Sequence, residues 1–180
     1  MSIVNYFTDA SITNGDGCSA CIKYVGDNKY DLVKTVTVNN CTNINKCELV
    51  AIKLALADIL NNYEASNIYK IYTDSDYALN AIRNNTRRYS EVVEINHLLS
   101  IIPVGIDLLK SHTSGKYQQK YFQANNRHIS LEEANMLCRG NNTVDLIARN
   151  FTYINNIPLY NSTPFDFEIP KNNCPWTFIY

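Results

Sequence analysis

No apolar run in the chain approaches the roughly 20 residues needed to cross a bilayer, and the opening MSIVNYFTDAS has neither the charged leader nor the long apolar stretch of a secretory signal. These absences predict an intracellular protein with no membrane partner. Excess charge is missing too. Sixteen Lys and Arg stand against 17 Asp and Glu, a formal net charge of -1, so any affinity for nucleic acid has to be local rather than spread over a basic surface. No G-x-S-x-G turn is present to carry a hydrolase serine. The pair Cys18-x-x-Cys21 has no second Cys-x-x-Cys and no paired histidines to complete a zinc site. Nothing suggests secretion, so the six cysteines are expected as reduced thiols.

What is present is 180 residues with 46% hydrophobic content, enough for one domain with a core of its own. Asn5 to Asp9, Ala20 to Val25 and Leu32 to Val38 alternate as strands separated by Gly-Asp and Gly-Asp-Asn turns, an opening three-strand meander. Thr42-Asn-Ile-Asn offers N-cap candidates for the helical stretch CELVAIKLALADILNN. IYKIYTD reads as a fourth strand, SDYALNAIRN as a helix capped by Ser75, SEVVEINHLLSII as a helix stopped by Pro103, and GIDLLKSH as a fifth strand. From Thr113 to Gly140 the pattern is irregular, apart from a short helix SLEEANMLCRG with a Ser130/Glu133 capping box and Gly140 as its C-cap. NNTVDLIARNFTYI is the last helix, with Asn142 or Thr143 as its cap. Residues 155–180 hold four prolines and no periodicity, and read as an irregular tail. The expectation is an α/β domain over residues 1–154, interrupted by a 113–140 insertion. Its mixed five-stranded sheet, an antiparallel meander plus parallel strands, would be flanked by helices.

Two aspartates end strands in the same way: Asp9 in YFTDAS and Asp74 in IYTDSD. If those strands are parallel neighbours, both carboxylates lie at one sheet edge on backbones about 4.8 Å apart. Carboxylates that close repel unless a cation lies between them. Glu48 falls in line with Ile52, Ala55 and Ile59, the stripe that should face the sheet, and a core-facing carboxylate needs a partner. Asp145 is placed in the first turn of its helix beside the stripe Val144, Ile147, Ala148 and Phe151. Singly, each aspartate is a common cap or turn residue; jointly the four acids point to a metal site.

These segments resemble the type 1 ribonucleases H, including those attached to reverse transcriptases. YFTDAS, TNINKCEL, YTDSDYAL, LLKSHTSG and GNNTVDLIAR occur in that family's order with similar separations over roughly residues 3 to 152. The resemblance implies that Asp9, Glu48, Asp74 and Asp145 ligate metal. It also implies that His112 assists proton transfer or product departure. Oxygen ligands suit Mg²⁺ or Mn²⁺, and two such ions about 4 Å apart can activate a water and stabilise the leaving oxygen. The implied activity is endonucleolytic cleavage of the RNA strand of an RNA–DNA hybrid. Ser11, Asn14, Asn43 and Asn45 are candidates to read 2′-hydroxyls, and Arg83, Arg87 and Arg88 to hold phosphates.

The chain departs from the family's pattern in three places. Ile44 interrupts the asparagine run before the first helix, and the 113–140 insertion separates His112 from Asp145, leaving His128 as an alternative to it. No tryptophan-bearing basic protrusion is present. Two other functions remain open: a nuclease of the same superfamily acting on another nucleic acid, and a non-catalytic nucleic-acid- or protein-binding module.

Overall fold

The computed structural model describes residues 2–153; the expected tail, with Cys174 and Trp176, lies outside them. The elements follow in the order β1 (Ile3–Thr13), β2 (Asp16–Gly26), β3 (Lys29–Val38), α1 (Ile44–Asn61), β4 (Ile68–Thr73), α2 (Asp76–Arg83), α3 (Ser90–Ile101), β5 (Val104–Leu108), α4 (Gly115–Ala124) and α5 (Leu131–Tyr153). The strands form one mixed sheet in the order β3-β2-β1-β4-β5. Asn14 and Gly15, both at positive φ, turn β1 back antiparallel along β2, and Asp27 and Asn28 turn β2 into β3. β4 then joins β1 in parallel, and β5 joins β4 in parallel.

Alternation along the central strands divides the core in two. Tyr6 and Ile71 point to the face covered by α1, α2 and α3, against Leu49, Ile52, Leu56, Ala78, Ile82, Val92 and Ile95. Phe7 and Tyr72 point to the opposite face, covered by α4 and α5 through Phe122, Leu137, Val144, Ile147 and Ala148. Both faces are therefore buried along β1 and β4, which explains why YFTD and IYTD carry large hydrophobic side chains on consecutive residues rather than a polar face. No helix among the described residues is long and apolar enough to cross a membrane.

Four local expectations need correction. β1 does not end at Asp9 but runs on, paired with β2, to Thr13. β5 ends at Leu108, so Lys110 to His112 form a turn rather than the end of a strand. The 113–140 segment is not irregular around one short helix: α4 occupies Gly115–Ala124, with the Ser114 side chain accepting from the Tyr117 amide. Finally, the helix that begins after Ser130 does not stop at Gly140. It runs unbroken to Tyr153, and the Ser130 hydroxyl caps it by accepting from the Glu133 amide at 3.0 Å. Neither Asn142 nor Thr143 is a cap. Gly140 is where α5 crosses β1 most closely, since a Cβ there would stand 2.5 Å from ring atoms of Phe7. Phe7 is itself fully buried, stacked on Tyr72 and edge-on to Tyr30.

Candidate active site

Thr8 and Thr73 are the last register partners of the parallel β1–β4 pair, so Asp9, within β1, and Asp74, just past the end of β4, stand side by side where that ladder stops. The Leu109 amide donates to the Thr73 carbonyl at 2.8 Å, and the Ser75 amide donates to the Thr73 hydroxyl at 3.1 Å, which fixes the backbone on either side of Asp74. Glu48 comes from the second turn of α1. Its neighbour Cys47 accepts a 2.7 Å hydrogen bond at the carbonyl from Ser19 of β2, so the helix is tied to the sheet beside the carboxylate. The result is a group in which oxygens of Asp9, Glu48 and Asp74 all lie within 4.8 Å of one another.

These carboxylates are held where water screens them poorly: Asp9 is 5% exposed and Glu48 7%. Burial, reinforced by the charges of Glu48, Asp74 and Asp145, raises the Asp9 carboxyl well above the ordinary aspartate range. Burial and then the Asp74 charge push Glu48 up to about 8. Asp74 is also raised, by burial first, although a hydrogen bond from Asn141 and the nearby charge of His112 favour its ionised form. The Ala10 amide donates to Asp9 at 2.7 Å and works against the rise, but Glu48 Oε2 is buried without a hydrogen-bond partner. Among the described residues no lysine or arginine forms an ion pair with Asp9, Glu48 or Asp74. Poorly screened carboxylates with no lysine or arginine ion pair among the described residues, one oxygen of which is an orphan acceptor, form a donor set that suits a hard divalent cation.

Asp145 does not sit in a first turn. It lies midway along α5, where a helix terminus offers it no favourable dipole, and its charge is felt by all three other acids. Its Oδ1 pairs with Arg149 Nε at 2.8 Å. That exposed i,i+4 ion pair is weak, well under about 1 kcal/mol.

The model of the RNase H family matches residues 1–152. The chain belongs to the RNase H family. Solved structures similar to it include RNase H1 from the halophilic archaeon Halobacterium salinarum NRC-1, at 14% identity and a TM-score of 0.49 over 61% of this chain and 86% of that one. Another is the N-terminal RNase H domain of a Mycobacterium tuberculosis protein, solved as a fusion with maltose-binding protein. It shows 10% identity and a TM-score of 0.48 over 59% of this chain and 86% of that one. No curated protein matches the sequence.

The other candidate residues of this RNase H-family chain are spread around the acidic group. His112 is exposed on the β5–α4 turn at φ +53°, close enough for its charge to act on Asp74. His128 is exposed between α4 and α5. Asn43 is the N-cap of α1, accepting from the Asn45 amide at 3.1 Å, while its own amide group donates to the Tyr89 hydroxyl at 2.9 Å. The Arg88 guanidinium lies 5.6 Å from the centre of the Tyr89 ring, so the basic turn between α2 and α3 is linked to the start of α1. Arg83 and Arg87 are exposed nearby in sequence, Ser11 is half-buried on β1, and Asn14 is exposed in the β1–β2 turn.

One residue escaped the sequence reading. Asn141, 5% exposed, hydrogen-bonds Asp74 and leaves its own Oδ1 buried and unpartnered. Read as part of a loop between two helices, an asparagine in the run Gly-Asn-Asn carries no signal. The i,i+4 spacing from Asn141 to Asp145 becomes informative only once the helix is known to be continuous.

Proposed function

We propose that the chain hydrolyses the RNA strand of RNA–DNA hybrids as a metal-dependent endonuclease, with residues 1–154 as its catalytic domain and the cell interior as its place of work. The observation that supports this best is the group of Asp9, Glu48 and Asp74, with oxygens within 4.8 Å and, among the described residues, no lysine or arginine paired with them. In the proposal Asp9, Glu48, Asp74 and Asp145 hold two Mg²⁺ or Mn²⁺ ions. Such ions supply Lewis-acid activation of a water and charge stabilisation at the leaving 3′-oxygen.

The chain's own residues do the rest. Asp9 and Asp74, fixed by the β1–β4 ladder, set the spacing of the donor atoms. Asn141 hydrogen-bonds Asp74 and favours its ionised form against the burial that raises it. His112, on the exposed turn beside Asp74, is placed to carry a proton to or from the departing product. Ser11, Asn14, Asn43 and Asn45 lie on the β1–β2 turn side and at the α1 N-terminus, where they would select 2′-hydroxyls across a minor groove. Arg83, Arg87 and Arg88 would take backbone phosphates, the local basic patch that a net charge of -1 demands.

The test is cleavage of a labelled hybrid with Mg²⁺ or Mn²⁺, with duplex DNA and duplex RNA as controls. Metal-dependent cutting of the RNA strand alone, reduced at least ~10²-fold in Asp74→Asn, is the expected outcome. Cutting of a control duplex instead would reassign the substrate, and no cutting of any would leave a binding role.

A further inference from the structure

Cys41 and Cys47 stand six residues apart on either side of the α1 N-cap, and their sulfurs are 3.0 Å apart. They form a small buried group of their own with Ala10, the residue after Asp9. Room for the two sulfurs comes from Gly17 on β2: a Cβ there would be 2.6 Å from Cys47 Sγ and 2.9 Å from both Cβ and Sγ of Cys41. A glycine inside a strand marks a close approach of something else, and here it is this pair. Metal binding is a poor account of it, since no third thiol, histidine or carboxylate joins the two within ligand range among the described residues.

We propose that Cys41 and Cys47 form a reversible disulfide, making the loop before α1 an oxidation site. An S–S bond is about 2.05 Å long, so the sulfurs need to close by about 1 Å. Cys47 is held by its helix and by the Ser19 bond to its carbonyl. The movement therefore falls on Cys41, whose neighbours Asn40 and Thr42 are exposed. The oxidant is a peroxide. When the loop opens, the Cys41 sulfur attacks one peroxide oxygen and the O–O bond breaks. One water leaves, and Cys41 is left as a sulfenic acid. The Cys47 sulfur then attacks the Cys41 sulfur, the S–O bond breaks, and a second water leaves. Both thiol hydrogens depart in water, and the two electrons reduce the peroxide. The bridge clamps residues 41–47, including Asn43, and so acts at the edge where the hybrid is proposed to bind.

The experiment treats the folded full-length protein with hydrogen peroxide and maps its peptides, with hydrogen exchange measured on the same samples. Expected are a Cys41–Cys47 crosslink lacking two hydrogens, reversed by dithiothreitol and absent in Cys41→Ser, and exchange of amides 42–46 at least about tenfold slower. Cys138, half-buried and more open than the pair, serves as the internal control. If Cys138 is oxidised while Cys41 and Cys47 stay reduced, or if the crosslink appears only after unfolding in urea, the site assignment fails. A crosslink that leaves exchange unchanged overturns the clamp. Neither readout requires nuclease activity, so failure here and failure of the hybrid-cleavage reading are separate results.

Discussion

Asn141 stands one helical turn before Asp145 on α5, and its side chain donates to the carboxylate of Asp74 on the neighbouring strand end. One helix thus delivers both a carboxylate and the amide that orients another. Asn141→Ala removes that donor without touching the metal ligands. The expected result is metal affinity weakened about 10- to 100-fold, with cleavage largely recovered at saturating Mn²⁺. Titration calorimetry beside a metal dependence of the rate checks this, and an unchanged affinity would remove Asn141 from the site.

The raised acids carry a pH signature in the absence of metal. Glu48 is pushed from 4.5 to about 8 in the folded chain, so the folded state holds this proton more tightly than the unfolded one. Its contribution to stability is then fully present below about pH 4.5 and is lost as pH rises through about 8. Glu48→Gln abolishes the dependence. With chelator at pH 8.5 the variant should be more stable by about 1–2 kcal/mol, roughly 2–8 °C in Tm, and the gain should vanish near pH 4.5. Thermal unfolding at the two pH values decides; a wild type as stable as the variant at pH 8.5 contradicts the assigned shift.

Gly140→Ala sets helix propensity against packing. Alanine is better than glycine in a helix interior by about 1 kcal/mol, but its Cβ would meet the buried Phe7 ring at 2.5 Å. Overpacking of this kind costs about 1–3 kcal/mol, and Phe7, held between Tyr72 and Tyr30, has nowhere to retreat. Denaturant unfolding should show net destabilisation, relieved in the double variant that adds Phe7→Leu.

The two candidate histidines separate cleanly. His112→Ala should lower kcat for hybrid cleavage by about 10²-fold while leaving metal affinity near wild type, and His128→Ala should leave both unchanged. Steady-state rates on the same hybrid give the answer, and the reverse pattern would move the role to His128.

Much of this site was legible before the structure because its signals are local. Asp9 and Asp74 each follow a threonine of one register pair in the β1–β4 ladder, and Glu48 lies on the stripe Ile52, Ala55 and Ile59, all of which are fully buried. The errors have a common cause in tertiary packing. Gly140 has the chemistry of a helix stop, yet α5 passes through it because close contact with Phe7 needs a residue without a side chain. That misreading cut one helix into two, placed Asp145 in a first turn and hid Asn141. Residues Gly115–Ala124 gave no helical signal because Lys116, Gln118, Gln119, Lys120 and Gln123 interrupt any apolar stripe. Their helix instead rests on Phe122 and on Gln118, which accepts from the Lys110 amide and the Thr113 hydroxyl.

Because Asp9 and Asp74 are spaced by the ladder between β1 and β4, the lengths of the distant turns are free to drift. A residue inserted at Gly26 to Asn28, or between Asn125 and His128, lengthens an exposed connection and leaves the carboxylates where they are. A residue inserted between Ile3 and Thr8 turns Asp9 to the opposite face of the sheet. The outer connections can therefore change in length without moving the acids, while the β1–β4 ladder cannot.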